Sequence, residues 1–301
     1  MREIIVEQLE NRMRLDQYLM IQLQYSRSKV QRMLKEGYIL VNDQVVKNSY
    51  LVKEQDRIVV KEYQEPQLTA TPEAMDLDIV FEDDDVIVVN KPNGMVVHPA
   101  VGNTHGTLVN GLVYHAKNLS DVNGEFRPGI VHRIDADTTG LLMVAKHNRA
   151  HEVLARELEE KTTTRIYYAL VWGVIFNDTG TIDAPIGRDP HDRKKQTVTA
   201  TNSKDAVTHF KVLARYKRAT LIELRLETGR THQIRVHMNY IGHPVVNDPV
   251  YGRRKKFDNT GQCLHAKTLG FVHPTTGEYM EFDSELPPCF TNILEQLKQE
   301  E

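Results

Sequence analysis

Hydrophobic positions recur at helical spacing near the N-terminus and at strand spacing over much of the remaining chain. Leu15 and Leu19 stand four apart in RLDQYL and predict a helix opening at Arg14. Ser26 suits the N-cap of a second helix, with Val30, Met33 and Leu34 as its apolar stripe and Gly37 at its end. Short strands are predicted at Tyr38–Val41, at Val45–Val46 after the turn Asn42-Asp43-Gln44, and at Arg57–Val60. Residues 63–76 carry Pro66 and Pro72 without an apolar period and read as a linker. Beyond it, Asp78–Phe81 and Val86–Asn90 form a hairpin across an acidic turn. Leu141–Ala145, Tyr167–Val171, His209–Ala214 and Thr220–Leu226 are further strands. Helices are predicted over His151–Lys161 and over Thr231–Ile241, the latter with Ile234, Met238 and Ile241 inward and Gly242 and Pro244 as its stop. Strands mixed with isolated helices define an α+β fold with a mixed, mainly antiparallel sheet. The domain boundaries read as 1–62, a linker over 63–76, and 77–301.

The 301 residues fit one large domain and one small one. No apolar run approaches the roughly 20 residues that span a bilayer, and the N-terminal MREIIVEQLENR lacks the apolar core of a signal peptide. Cys263 and Cys289 form no CxxC pair, so neither a metal nor a disulfide framework is expected, and a reducing cytoplasm fits. Net charge is -3, but its distribution is uneven. Six basic residues and one acid lie between Arg12 and Lys35, and nine basic residues and three acids between Arg188 and Arg218. Local lysine and arginine, rather than the total, decide polyanion contact.

The richest stretch chemically is GIVHRIDADTTGLLMVAK, Gly129 to Lys146. Asp135 follows His132-Arg133 and precedes the small-polar turn Asp137-Thr138-Thr139-Gly140, which leads into an apolar strand. An acid set in a tight turn beside an arginine is a way to fix one ionised group against a substrate. Two acids two apart on an extended segment would lie about 7 Å from each other, which makes a glycoside hydrolase a rival. Asp137, however, opens a turn and reads as structural. His232, His237 and His243 lack the i, i+4 spacing of a helical zinc pair, and no metal site is expected. Gly102–Gly106 lacks the lysine and hydroxyl of a phosphate-binding P-loop.

The Gly129–Lys146 string closely resembles the signature of the RluA/RluD-type pseudouridine synthases. FEDDDVIVVNKPNGMVVHP, TTTRIYYALVWG and ETGRTHQIRVHMNYIGHPVVNDPVYG resemble further stretches of that family, in the same order. SRSKVQRMLKEGYILVNDQVV resembles the small S-four-like RNA-binding domain, and its basic face places Arg14, Arg27, Lys29, Arg32 and Lys35 as RNA contacts. The resemblance implies a long central sheet with a cleft along it, and isomerisation of uridine in RNA without cofactor or metal. It makes Asp135 the catalytic residue, Arg235 its cationic partner (Arg230 being a lesser option), and Tyr167 the ring that packs on the target base. Without it, core packing would explain both Tyr167 and Tyr168. Arg133 becomes a candidate for the gap left by an everted nucleotide; His132 holds the turn. The expected partner is structured RNA, most naturally of the large ribosomal subunit, with transfer RNA open, and the expected state is a monomer. A non-catalytic RNA-binding assembly factor is the alternative from another class.

Overall fold

The computed structural model describes residues 2–7, 12–25, 27–63, 70–100, 102–124, 127–192, 194–252 and 256–300, and the expected N-cap Ser26 lies outside them. The chain divides into two compact units, Met1–Gln67 and Leu68–Glu301.

The first unit carries strand β1 (Arg2–Ile5), helices α1 (Leu15–Leu23) and α2 (Arg27–Lys35), and strands β2 (Ile39–Val41) and β3 (Arg57–Val60). Its antiparallel sheet has the order β1-β3-β2. Leu15, Leu19, Val30, Met33 and Leu34 meet Ile39 and Ile58 in one core, as the helical spacing requires. Val45–Val46 is not a strand. Asn42 and Asp43 take left-handed backbone and Gln44 bridges straight back to Val41, so the hairpin closes there and β3 becomes the partner of β2. β1 is strand where the sequence shows only short aliphatics between charges; it pairs with β3 from Arg2↔Val60 to Ile5↔Arg57.

The second unit contains β4 (Ile79–Glu82), β5 (Val86–Lys91), α3 (Leu108–His115), β6 (Thr139–Ala145), α4 (Asn148–Glu160), β7 (Thr164–Trp172) and β8 (Thr179–Asp183). It continues with β9 (Ile186–Arg188), β10 (Gln196–Val198), β11 (Ser203–Lys204), β12 (Val207–Tyr216), β13 (Ala219–Leu226), α5 (Gln233–Tyr240), β14 (Leu264–Val272), β15 (Tyr279–Asp283) and α6 (Pro288–Gln299). The main sheet runs β4-β5-β6-β14-β7-β13-β12-β8, with β15 on β14. β14 lies parallel to β6 and antiparallel to β7, so the fold is α+β with a mixed sheet. Every residue of β6 is buried, because one of its faces packs with Val86, Val88 and α4 and the other with Ile87, Val89 and α3. Helix α4 starts earlier than the apolar spacing indicates, since the His147 side chain caps it by accepting from the Ala150 amide.

Residues 70–76, read as the second half of a linker, are instead held on α3. Ala70 enters the core, the Glu73 amide donates to Asn110 O, and Asn110 donates to Thr71 O. Pro72 and the polar residues hid this, because the segment's hydrogen bonds to α3 use the backbone groups of residues 71 and 73.

The junction of β6 and β14 is tight. Gly140 sits at φ +109, and a Cβ there would lie 2.3 Å from the carbonyl oxygen of Ala266. Gly140→Ala combines left-handed strain with a backbone collision. We expect a loss of stability on the order of 3 kcal/mol, read as a fall in the urea midpoint. An unchanged midpoint would show that this junction tolerates separation.

Candidate active site

Asp135 lies in the turn that feeds β6, and the turn is fixed from several sides. The Thr138 amide donates to Asp135 O at 3.1 Å, and Gln262 donates to Thr138 Oγ1 at 3.0 Å. Lys91, fully buried at the end of β5, donates from Nζ to Ala136 O at 2.7 Å, Pro92 O at 2.8 Å and Met95 O at 2.9 Å. Burial pushes the Lys91 pKa down to about 7, against the pull of Asp137 and Asp135. Three carbonyls match the three donors of the ammonium form. The Met143 amide donates to His132 Nε2 at 3.1 Å. Burial, with Arg165 nearby, pushes the His132 pKa down to about 3. His132 is therefore neutral near pH 7, and its Nε2 ties the turn to β6.

The cation for Asp135 arrives from 100 residues downstream. Arg235 donates from Nη1 to Asp135 Oδ2 at 2.8 Å. The other edge of the same guanidinium holds Asp248, with Nε to Oδ2 at 2.7 Å and Nη2 to Oδ1 at 2.9 Å. Asp248 is buried and also accepts from the amides of Val250 and Tyr251. One arginine thus bridges two carboxylates, a bidentate fork on one and a single bond on the other. Burial opposes its charge, but Asp248 and Asp135 more than offset this and raise its pKa. Burial would likewise raise the Asp248 carboxyl, and Arg235 reverses the shift and lowers it.

The start of α5 is bolted down so that this bridge has a defined position. Gln233 Oε1 accepts from Thr228 Oγ1 and the Arg230 amide, while its Nε2 donates to Val207 O and Thr208 Oγ1. His232 adopts left-handed backbone, φ 57, and turns its ring toward the site, with Nε2 3.8 Å from Asp135 Oδ1. Its Nδ1 lies 3.0 Å from the Tyr251 hydroxyl, which accepts from the Gln196 amide. Tyr251 also lies under the Arg235 guanidinium, 5.2 Å from ring centre to Cζ.

Asp135 keeps 20% of its side chain exposed, and it opens on a cavity of about 570 Å³, a size suited to a small ligand group. Tyr167, on β7, lines that cavity, as do Arg133, His132, Arg230 and Arg235. Tyr168 faces away, with Lys267 near its ring, as strand alternation requires. The structure thus brings Asp135, Arg235 and Tyr167 together. Arg133, close to Asp135 in sequence, lies instead toward His98, with Nη1 3.5 Å from Nε2. Arg230 donates from Nε to Asp205 O at the cavity edge. Among the described residues, the guanidinium within reach of Asp135 is that of Arg235. Asp135 and Asp137 lie in a closed turn rather than on an extended segment, and Asp137 does not line the cavity that Asp135 opens on, so the pair lacks the shared face the glycosidase rival needs.

In the first unit, the five basic residues differ in what holds them. Arg14 grips buried Asp16 through Nε and Nη2, and Arg27 reaches the same carboxylate at 3.5 Å. Lys29 lies 4.2 Å over the Tyr25 ring. Lys35 is exposed and Arg32 half-buried on α2. Sequence reasoning missed Asp248, Lys91, His232 and Tyr251 as parts of the site. The one available signal was an acid flanked by valines, Val246-Asn247-Asp248-Pro249-Val250, an environment where a carboxylate needs a partner.

A mixed sheet holds a bridged carboxylate against a cavity of about 570 Å³, a geometry able to fix one acid against a bound group. Residues 85–240 match the family model described as RNA pseudouridylate synthase, and residues 13–58 match that of the S4 domain. The chain is 56% identical over 275 residues to the uncharacterized RNA pseudouridine synthase YlyB of Bacillus subtilis (strain 168), covering 91% of this chain and 90% of that one. It is 46% identical over 289 residues to ribosomal large subunit pseudouridine synthase D of Neisseria meningitidis (serogroup A, strain Z2491), covering 92% and 76%. The solved structure of human RNA pseudouridylate synthase domain containing 1 superposes with a TM-score of 0.58 at 26% identity, covering 74% of this chain and 95% of that one. The protein belongs to the RNA pseudouridylate synthase family and carries an S4 domain at its N-terminus.

The Arg235 bridge makes a prediction about acid. Asp248 has a folded pKa below its unfolded one, so its ion pair contributes fully above about pH 4 and is lost as pH falls through the folded value. Asp248→Asn should lower stability at pH 7 by about 3 kcal/mol, the loss typical when a buried pair is broken. It should also flatten the fall in stability below about pH 4. Urea melts of both proteins from about pH 2.5 to 7, a span that brackets the carboxylate range, check this; parallel curves would remove Asp248 from the acid response.

Proposed function

We propose that this protein isomerises uridine to pseudouridine in large-subunit ribosomal RNA, with Asp135 as its catalytic group. In that reaction the bond from ribose C1′ to uracil N1 breaks, the base turns, and C1′ joins C5. N1 gains a proton, C5 loses one, and no electrons leave the substrate. The observation that carries the reading is the arginine bridge: Arg235 engages Asp135 Oδ2 at 2.8 Å, while Oδ1 of this cavity-lining residue keeps no hydrogen bond among the described residues. An ionised oxygen in a fixed position meets the need for one nucleophile or base. Tyr167 offers a ring face for the everted pyrimidine. Arg133, exposed at the mouth, suits the space the nucleotide leaves. The ribosomal substrate is supported by the relative whose name specifies the large subunit, and a reaction on such RNA would take place in the cytoplasm. The basic residues of the first unit would position the RNA backbone without reading sequence.

Tritium release from 5-tritiated uridine in transcribed large-subunit RNA tests the reaction. Asp135→Asn should reduce release at least ~100-fold, the low end of what one positioned acid-base group supplies. Release by Asp135→Asn at the wild-type rate would exclude Asp135 as the catalytic group, and absence of release by the wild type itself would favour a protein that only binds RNA. A second outcome concerns α2: changing Arg32 and Lys35 together to Ala should raise the Kd for that RNA and make its salt dependence shallower, while the rate at saturating RNA stays unchanged. An unaltered salt slope would take α2 out of the interface.

A further inference from the structure

We infer that Arg165 binds a phosphodiester of the RNA strand next to the uridine presented to Asp135, an extension that rests on the reading of the cavity just given. Arg165 and Tyr167 are two apart on β7 and face the same side, and both line the cavity with Asp135. The other cations around that cavity have acceptors. Arg235 holds two carboxylates, Lys161 lies 3.3 Å from Glu227, and Arg230 donates to Asp205 O. Arg133 stands at the exposed mouth near His98. Arg165 differs. Its Nε is buried without a partner, and among the described residues no carboxylate or carbonyl accepts from its guanidinium.

The surroundings keep it so. Glu227, an acid on the cavity wall, is taken by His209 and Lys161. Gly229 covers the guanidinium with bare backbone, and a Cβ there would lie 3.1 Å from Arg165 Nη1. The charge is felt next door, where it helps keep His132 neutral. A cation held partly out of water without a protein acceptor is costly unless a ligand supplies the anion. RNA carries one phosphodiester per nucleotide, and the planar fork of arginine matches two of its oxygens. Two residues along β7 set the backbone attachment points of ring and cation about 7 Å apart on one face, a spacing that suits the base and the phosphate of one nucleotide. Tyr167 under the base and Arg165 on the backbone would then fix the nucleotide at both ends, while Asp135 meets it at the sugar–base bond.

The test is the salt dependence of kcat/KM for tritium release from transcribed large-subunit RNA, measured on the full chain across a range of KCl. Arg165→Gln and the volume-matched Arg165→Met should both lower kcat/KM mainly through KM. Both should also make the slope of log kcat/KM against log [KCl] shallower by about 0.7, the contribution of one phosphate contact on a single strand. Arg165→Lys keeps the charge and should restore the slope, though not the full rate. If the neutral variants lose rate with the wild-type slope, Arg165 supports Tyr167 and His132 or reads a base carbonyl, and the proposal is overturned. Asp135→Asn, assayed alongside, separates the two levels. Full release by Asp135→Asn removes the reading of the site itself, whereas its inactivity with unaltered Arg165 slopes removes only this inference.

Discussion

One guanidinium shared between two carboxylates organises this molecule. Arg235 is buried, and a buried charge is tolerable only with good partners. Asp248 supplies two strong bonds and is itself held by two backbone amides, so it is a structural anchor. Asp135 takes the remaining edge of the fork and stays partly open. The asymmetry matters: the arginine is fixed by the acid that is fully buried, and it presents its spare donor to the acid that faces the cavity. A lysine in this place could offer charge but not two edges.

The sheet brings the two ends of this bridge together. Asp135 enters from the turn before β6, whose strand is buried on both faces and cannot slide. Arg235 enters from α5, whose first turn is tied to β12 through Gln233. β14 joins the two halves, parallel to β6 through Gly140↔Ala266 and antiparallel to β7 through Ala266↔Tyr167. The same residue of β14 therefore sets the positions of the turn bearing Asp135 and the strand bearing Tyr167. Lys91 adds a third tie by clamping Ala136 O, between Asp135 and Asp137.

Much of this was legible in the chain, for reasons that differ by element. Helical spacing placed α1 and α2, and the apolar runs placed β5, β6 and β13, because burial and period leave a direct trace. β14 was not legible: Leu264-His265-Ala266-Lys267 mixes charge with apolar residues, since His265 is buried between Thr139 and Ser284 rather than exposed. Helix α3 hides a Gly and an Asn, and the Asn works as half of a capping box with Thr107. Asp135, Arg235 and Tyr167 were reached through family resemblance. Composition alone would have left Arg235 on a solvent face, although every residue from Gln233 to Met238 is buried. Asp248, Lys91 and Tyr251 act through three-dimensional contacts from distant segments, and no local period marks such residues.

The decisive measurement on the bridge is single-turnover tritium release by Arg235→Lys, with Asp248 and Asp135 left in place. If a forked donor joining both acids is what positions Asp135, the lysine variant keeps its RNA affinity and fold but loses at least ~100-fold in the chemical step. If positive charge alone suffices, the variant reacts within a few-fold of wild type, and the bridge is not what makes the site.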